Sequence, residues 1–310
     1  LTSETLFELD ELPESVIVLG GRFIALECAQ MLARFGSRVT ILQRSPHILP
    51  TEDEELSAAI AGYLESEGID IVTGAKVDSV ARASGPVTVK ANVGGESKTF
   101  SSTHLLAALG RRANSQNIGL ENAGVETGPD GSLVVDDELR TSCDGIFGAG
   151  DVTGDPMLVY TAAHEGGIAA ENALTGSSKK RDYSTMPWVV FTDPQVAGVG
   201  MDEKQAVEAG IDADSSTLHF AQLPRALAAR DTRGFVKLIR DIKTDKLLGA
   251  RVVAPEGSEL IMEAALAVKY GITVSDLTET LHPYLTLSEA VKLAAIGFKK
   301  DINKLSCCAG

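Results

Sequence analysis

Cysteine is scarce in this sequence: Cys28, Cys143, Cys307 and Cys308 are the only four in 310 residues. So few thiols in a chain this long do not build the disulfide framework of a small secreted domain, and a reducing, cytoplasmic setting is expected. Long apolar runs are missing as well. None reaches the ~18 residues that a membrane helix needs, and no membrane partner is expected. The stretch LTSETLFELDELPES carries acids where a secretory leader needs a basic region and an apolar core. Blocks of one charge sign are also absent. The net charge of -15 is spread along the chain, which reads as a solvated surface and makes nucleic acid a poor ligand. Aromatic residues make up only 5%, yet 44% of the chain is hydrophobic, enough to bury two or three cores and to exclude disorder. There is no internal repeat and no low-complexity tract.

What is present alternates. The run Ser15-Val16-Ile17-Val18-Leu19 ends in Gly20-Gly21, and Phe23, Ile24, Leu26, Ala29, Met31, Leu32 and Phe35 then recur at helical spacing up to Gly36. Arg38 to Leu42 reads as a buried strand, Asp53 to Glu67 as a helix and Ile69 to Val72 as another strand. Strand and helix in alternation imply parallel crossovers, hence an α/β, doubly wound Rossmann-type sheet. From Lys76 to Phe100 the runs shorten and break at Gly94-Gly95, the pattern of an inserted antiparallel meander, before Leu105 to Leu109 returns to the parent sheet. A further strand is expected at Gly145 to Phe147 and a helix at Tyr160 to Leu174. The polar stretch from Thr175 to Arg181 reads as a boundary. Beyond it, strands at Val189 to Phe191, Ser215 to Phe220, Gly234 to Ile239 and Leu247 to Val253, with helices at Glu259 to Tyr270 and Leu287 to Phe298, describe an α+β domain.

A strand that ends in glycines and opens a helix places backbone N–H groups where a pyrophosphate can sit. Gly20-Gly21-Arg22-Phe23-Ile24-Ala25 has that context. Arg22 stands where a dinucleotide fingerprint has its second glycine and Ala25 where it has its third, so this turn alone is equally compatible with a plain strand-turn-helix. The second strand ends in Gln43-Arg44. An acid there would suit the ribose hydroxyls of NADH, whereas an uncharged residue followed by arginine suits a 2′-phosphate, which favours NADPH.

The ordered series GGRFIALECAQ, RVTILQRS, ALGRRANS, GIFGAGDV, FTDPQVAGVG and PYLTLSEAVKLAA resembles the flavin-dependent pyridine nucleotide-disulfide oxidoreductases over nearly the whole chain. Within that family, Tyr284 in PYLTLSE together with the chain end LSCCAG is similar to the mercuric ion reductases. Dithiol reductases of the family carry a catalytic histidine at the position of Tyr284, paired with a glutamate that Glu289 matches. The resemblance implies a remnant of an FAD domain at residues 1–12, a nicotinamide-binding domain at 13–112, a central flavin part at 113–183 and a dimerisation domain with a thiol tail at 184–310. It places Asp151 at the flavin ribityl chain, Val159 at a backbone contact to the flavin and Gly110 among the cofactor-binding positions. Glu27 falls beside the nicotinamide and Phe23 at the gate of its pocket. For Phe23, core packing is the stronger reading.

The family's own FAD-binding glycines and its CxxxxC pair precede the region that this sequence matches. The expectation is therefore a truncated chain lacking on the order of 100 to 150 residues, with FAD binding weak or lost. Cys28, on the apolar side of the first helix, and the isolated Cys143 do not replace that pair. Adjacent Cys307 and Cys308 offer two soft thiolate ligands, and soft metals select thiolate sulfur. An incidental tail is the alternative. The resemblance implies that these thiols capture Hg(II) from small thiol carriers, that NADPH and FAD supply electrons for its reduction to Hg(0) with Tyr284 near the path, and that the protein is a homodimer. The rival readings are another disulfide reductase, or a non-catalytic module that binds nucleotide and dimerises.

Overall fold

The computed structural model describes residues 1–154 and 156–304, so Cys307 and Cys308 lie outside the described residues. The chain divides into two compact units. One joins residues 1–109 to the chain from Ser184 onward, and the other runs from Gly110 to Tyr183.

The first unit begins with strand β1, Ser15–Leu19, buried at every position because its five residues have sheet or helix on both faces. It pairs in parallel with β2, Arg38–Leu42, and with β7, His104–Ala107; β3, Asp70–Val72, adds beyond β2. The resulting order β3-β2-β1-β7 is a Rossmann-type sheet. Helix α1, Phe23–Arg34, returns the chain from β1 to β2 and buries Ala25, Leu26, Cys28, Ala29 and Leu32. Helix α2, Glu54–Ser66, starts where the Asp53 carboxylate accepts from the Leu56 amide at 2.7 Å, with Glu54 and Glu55 favourably placed in its first turn. Between β3 and β7 the meander β4, Ala75–Ala81, β5, Val87–Val93, and β6, Glu96–Ser102, forms its own three-stranded sheet, turning at Gly94-Gly95 as expected.

The second unit holds α3, Leu120–Ala123, and α4, Val159–Thr175, and α4 supplies Ile168 and Ala169 to a small core with Leu139. The strand expected at Gly145 to Phe147 is reduced to one bridge, Phe147 with Arg140. The segment is bracketed by Gly145, whose φ is +79°, and Gly148, which leaves too few extended residues for a ladder.

From Ser184 the first unit resumes with an antiparallel sheet of β8, Trp188–Val190, β9, Gln195–Gly200, β10, Ala213–His219, β11, Phe235–Asp241, and β12, Leu247–Ala254, in the order β10-β11-β12-β9-β8. Helices α5, Glu203–Glu208, and α6, Pro224–Ala229, connect its strands. Helix α7, Gly257–Tyr270, lies on β12 and β9. It is followed by α8, Val274–Glu279, and α9, Glu289–Gly297, which covers β10 and β11. The α/β expectation holds: a parallel Rossmann-type sheet and a second, α+β sheet domain. Among the described residues no helix is long and apolar enough to cross a membrane.

Candidate nucleotide and redox sites

The turn between β1 and α1 is shaped by close backbone approach. Gly20 has φ +111°, and a Cβ there would lie 2.3 Å from the Ala108 carbonyl oxygen at the end of β7. Only glycine fits. Gly21 is nearly as confined: a Cβ would meet Ile48 Cγ2 at 3.0 Å and Gln43 Cβ at 3.2 Å, while its carbonyl accepts from Leu49 N at 2.8 Å. Arg22 is extended and exposed, and no side chain caps α1. A helix N-terminus without a side-chain cap, opening beside two glycines, fits a dinucleotide pyrophosphate in hydrogen-bonding capacity and dipole. Gln43 is buried under Gly21, while Arg44 is exposed at the end of β2.

Three side chains on one face of α1 reach residues 191–193, the loop after β8. Glu27 Oε1 accepts from the Phe191 amide at 2.8 Å, and burial pushes the Glu27 carboxyl above its ordinary pKa although that hydrogen bond opposes the shift. The buried Gln30 amide donates to the Asp193 carbonyl and accepts from the Asp193 N–H, both at 2.8 Å. Arg34 pairs with the Asp193 carboxylate at 2.8 Å and with Glu67 at 2.7 Å. Phe23 packs on Trp188 with ring centroids 5.5 Å apart, in agreement with core packing.

In the second unit Gly110 has φ +138°. The Asp151 carboxylate pairs with Arg111, which also donates to the Met157 carbonyl at 3.0 Å. The preceding Gly150 amide donates to Glu165, a carboxylate 2% exposed that also accepts from the Tyr183 hydroxyl and is approached by Arg181 at 3.4 Å. Burial first, and the Glu165 carboxylate second, push the Tyr183 phenol up to about 12. Val159 is 88% exposed in the first turn of α4, where Thr161 Oγ1 accepts from the preceding Leu158 N–H at 3.2 Å. An exposed helix start and an oriented aspartate in one unit suit the polar parts of a flavin nucleotide.

Tyr284 is exposed on the loop before α9, and Glu289 opens that helix with one buried carboxylate oxygen, Oε2, lacking a partner. Nearby, His282 Nε2 lies 2.7 Å from Glu263 Oε1 on α7. Cys28 is buried and Cys143 only partly so. Among the described residues no cluster of three His, Cys, Asp or Glu is arranged to hold a metal. Sequence reasoning missed Gln30, Glu165 and His282. The first two carried a signal: Gln30 follows the buried Leu26 by four residues and Glu165 precedes the buried Ile168 and Ala169 by three and four, so each is a polar group on an apolar helix face. Nothing marked His282.

Residues 1–166 match the family model described as pyridine nucleotide-disulphide oxidoreductase, and residues 186–295 match that family's dimerisation domain. The chain belongs to the pyridine nucleotide-disulphide oxidoreductase family. It is 44% identical over 310 residues to a mercuric reductase of Lysinibacillus sphaericus, covering all of this chain and 57% of that protein. It is 46% identical over 311 residues to a mercuric reductase of Streptomyces lividans, covering all of this chain and 65% of the relative. The chain thus spans between about half and two thirds of the length of the curated relatives it matches. Among solved structures, the HOCl-induced flavoprotein disulfide reductase RclA of Escherichia coli, as its Cu(II) complex, superposes with a TM-score of 0.88 at 34% identity, over 96% of this chain and 67% of that one. LpdA of Mycobacterium tuberculosis gives 0.87 at 32% identity, over 97% and 65%.

Proposed function

We propose that this chain is the nicotinamide-binding and dimerisation part of a cytoplasmic enzyme that reduces Hg(II) to Hg(0) with NADPH and FAD. The observation that carries the reading is Tyr284, exposed where the family's dithiol reductases carry a histidine, in a chain 41–46% identical to mercuric reductases over 97–100% of its length. A phenol there is not the imidazole that the family's dithiol chemistry uses for proton transfer. It can offer a hydroxyl to a metal ion or to a departing ligand.

The bound cofactors would supply a hydride donor and a two-electron carrier. The groups of this chain then have separable tasks. The Gly20-Gly21 turn and the start of α1 hold the pyrophosphate, with Arg22 beside it, and Arg44 pairs with the 2′-phosphate above the buried Gln43. Glu27 lies at the nicotinamide half. Asp151, held by Arg111, orients the flavin's ribityl chain, and the first turn of α4 at Val159 offers backbone N–H groups. Gly110 gives the chain its turn into that unit. Cys307 and Cys308 take Hg(II) from small thiols as a thiolate pair, releasing protons as the metal binds. Glu289 and Tyr284 act near the metal's path in the partner subunit of a homodimer. The experiment is a titration of the chain and of its Cys307→Ala/Cys308→Ala form with Hg(II): one tight equivalent lost in the double variant supports the tail as the capture site. Identical stoichiometry and affinity in both forms would exclude it.

A further inference from the structure

Residues 27, 30 and 34 lie on one face of α1, and each reaches the same short stretch of the second sheet domain, but they are not equivalent. Arg34 and the Asp193 side chain are 44% and 45% exposed, and an ion pair in that setting contributes little. Gln30 is different. Only 4% exposed, it offers one donor and one acceptor to the C=O and N–H of a single residue, Asp193, as a neighbouring strand would, and its amide is itself steadied by Glu67 Oε1 at 3.0 Å. The Asp193 carbonyl also accepts from Arg233 Nη1 at 3.3 Å, but Gln30 Oε1 is the acceptor that meets the Asp193 N–H, so loss of the Gln30 amide takes that partner from the backbone of residue 193. Fixing residue 193 on α1 fixes the peptide two residues before it, and that peptide's N–H is the one that meets Glu27 at 2.8 Å. Phe191 itself projects outward, 65% exposed, so its ring does nothing to hold the loop.

We infer that Gln30 is a positioning residue for the nicotinamide half of the nucleotide site: it locks the 191–193 backbone so that the Phe191 N–H aims the Glu27 carboxylate. This rests on the nucleotide-site reading above and adds to it a division of labour along α1. The helix start grips phosphate, and the Gln30 face, one to two turns further, sets the nicotinamide end. Interference with Gln30 should therefore be felt by one half of the dinucleotide only.

The test is calorimetric titration of Gln30→Met with NADPH and with 2′,5′-ADP, which has the adenosine and 2′-phosphate but no nicotinamide. Release of the Phe191 N–H from the Glu27 carboxylate, a charge-assisted hydrogen bond, predicts NADPH binding weaker by about tenfold, with 2′,5′-ADP unchanged. Glu27→Ala should show the same selective loss, and the double variant should be no worse than either single one, since both interrupt one connection. Gln30→Asn keeps an amide one methylene short of Asp193 and carries the same comparison should the methionine variant not fold. Equal weakening of both ligands, unchanged NADPH affinity, or additive losses would each overturn the proposal. Failure of the parent chain to bind 2′,5′-ADP would instead overturn the nucleotide site itself, and the proposal with it.

Discussion

Replacing Arg251 with methionine removes a guanidinium that is 2% exposed and sits among carbonyl oxygens at 3.0 to 3.4 Å, from Val199, Gly200 and Ala250. Its Nε donates to Glu52 at 2.6 Å, a carboxylate only 9% exposed on the loop leading to α2. Methionine fills much of the space, so the damage is electrostatic: Glu52 is left buried and unpaired, with Asp202 nearby, at a cost of about 3–5 kcal/mol. For a chain of this size that is roughly 2–4 °C per kcal/mol, or a Tm lower by about 6–20 °C. The sign with pH follows from Glu52, whose pKa burial raises and Arg251 lowers. A carboxyl with a raised folded pKa adds stability at low pH, and this is lost as pH climbs through that pKa. Without Arg251 the raised pKa rises further, so the deficit should be larger at pH 7 than at pH 5. Thermal unfolding followed by circular dichroism at both values reads it. Adding Glu52→Leu to the variant should restore most of the loss, because replacing a whole buried pair by apolar groups is nearly neutral. A loss below about 1 kcal/mol, equal deficits at the two pH values, or no rescue by the second change would show that Arg251 does not hold a buried Glu52 charge.

Other outcomes follow from single positions. Gly20→Ala should destabilise by at least about 1–3 kcal/mol of backbone strain, since φ +111° and the Ala108 oxygen both exclude a Cβ, and chemical denaturation measures it. Arg44→Glu should reverse a preference for NADPH over NADH, weakening NADPH by about tenfold or more in calorimetry; equal affinities in the parent chain would contradict this. Hg(II) affinity of the Cys307-Cys308 pair should rise from pH 6 to 8, because free thiols titrate near 8.5 and the metal takes the thiolate. A competition assay with a small dithiol reads the trend, and a flat profile would argue against thiolate capture.

Much of the architecture is legible in the sequence because burial forces a period on it. β1 is an unbroken apolar run, α1 repeats at helical spacing, and the meander announces itself by shortened runs and a Gly94-Gly95 turn. β9 is not so legible. Its QVAGVG carries glycines that normally weaken a strand, and Gly198 is there because the Trp188 ring lies where a Cβ would be, at 2.4 Å from Cζ2. Short helices such as α5 and α8 hold too few turns to show a period, although Asp202 and Thr273 each cap one. At the sites, the local features were readable: the glycine turn, Arg44 at a strand end, Asp151 before a helix. The long-range partners were not. Phe191 meets Glu27 across 164 residues and Arg251 meets Glu52 across 199, and no local pattern encodes which distant backbone or charge a side chain will find.

In the proposed function, electrons from NADPH end on mercury. The measurement is made on the protein loaded with FAD, by counting NADPH oxidised against Hg(0) volatilised, with a small disulfide as the competing acceptor. NADPH carries two electrons and Hg(II) needs two, so one Hg(0) should form for each NADPH consumed, with little oxidation supported by the disulfide. Brisk NADPH oxidation with the disulfide and no Hg(0) would contradict it and assign the chain to a dithiol reductase.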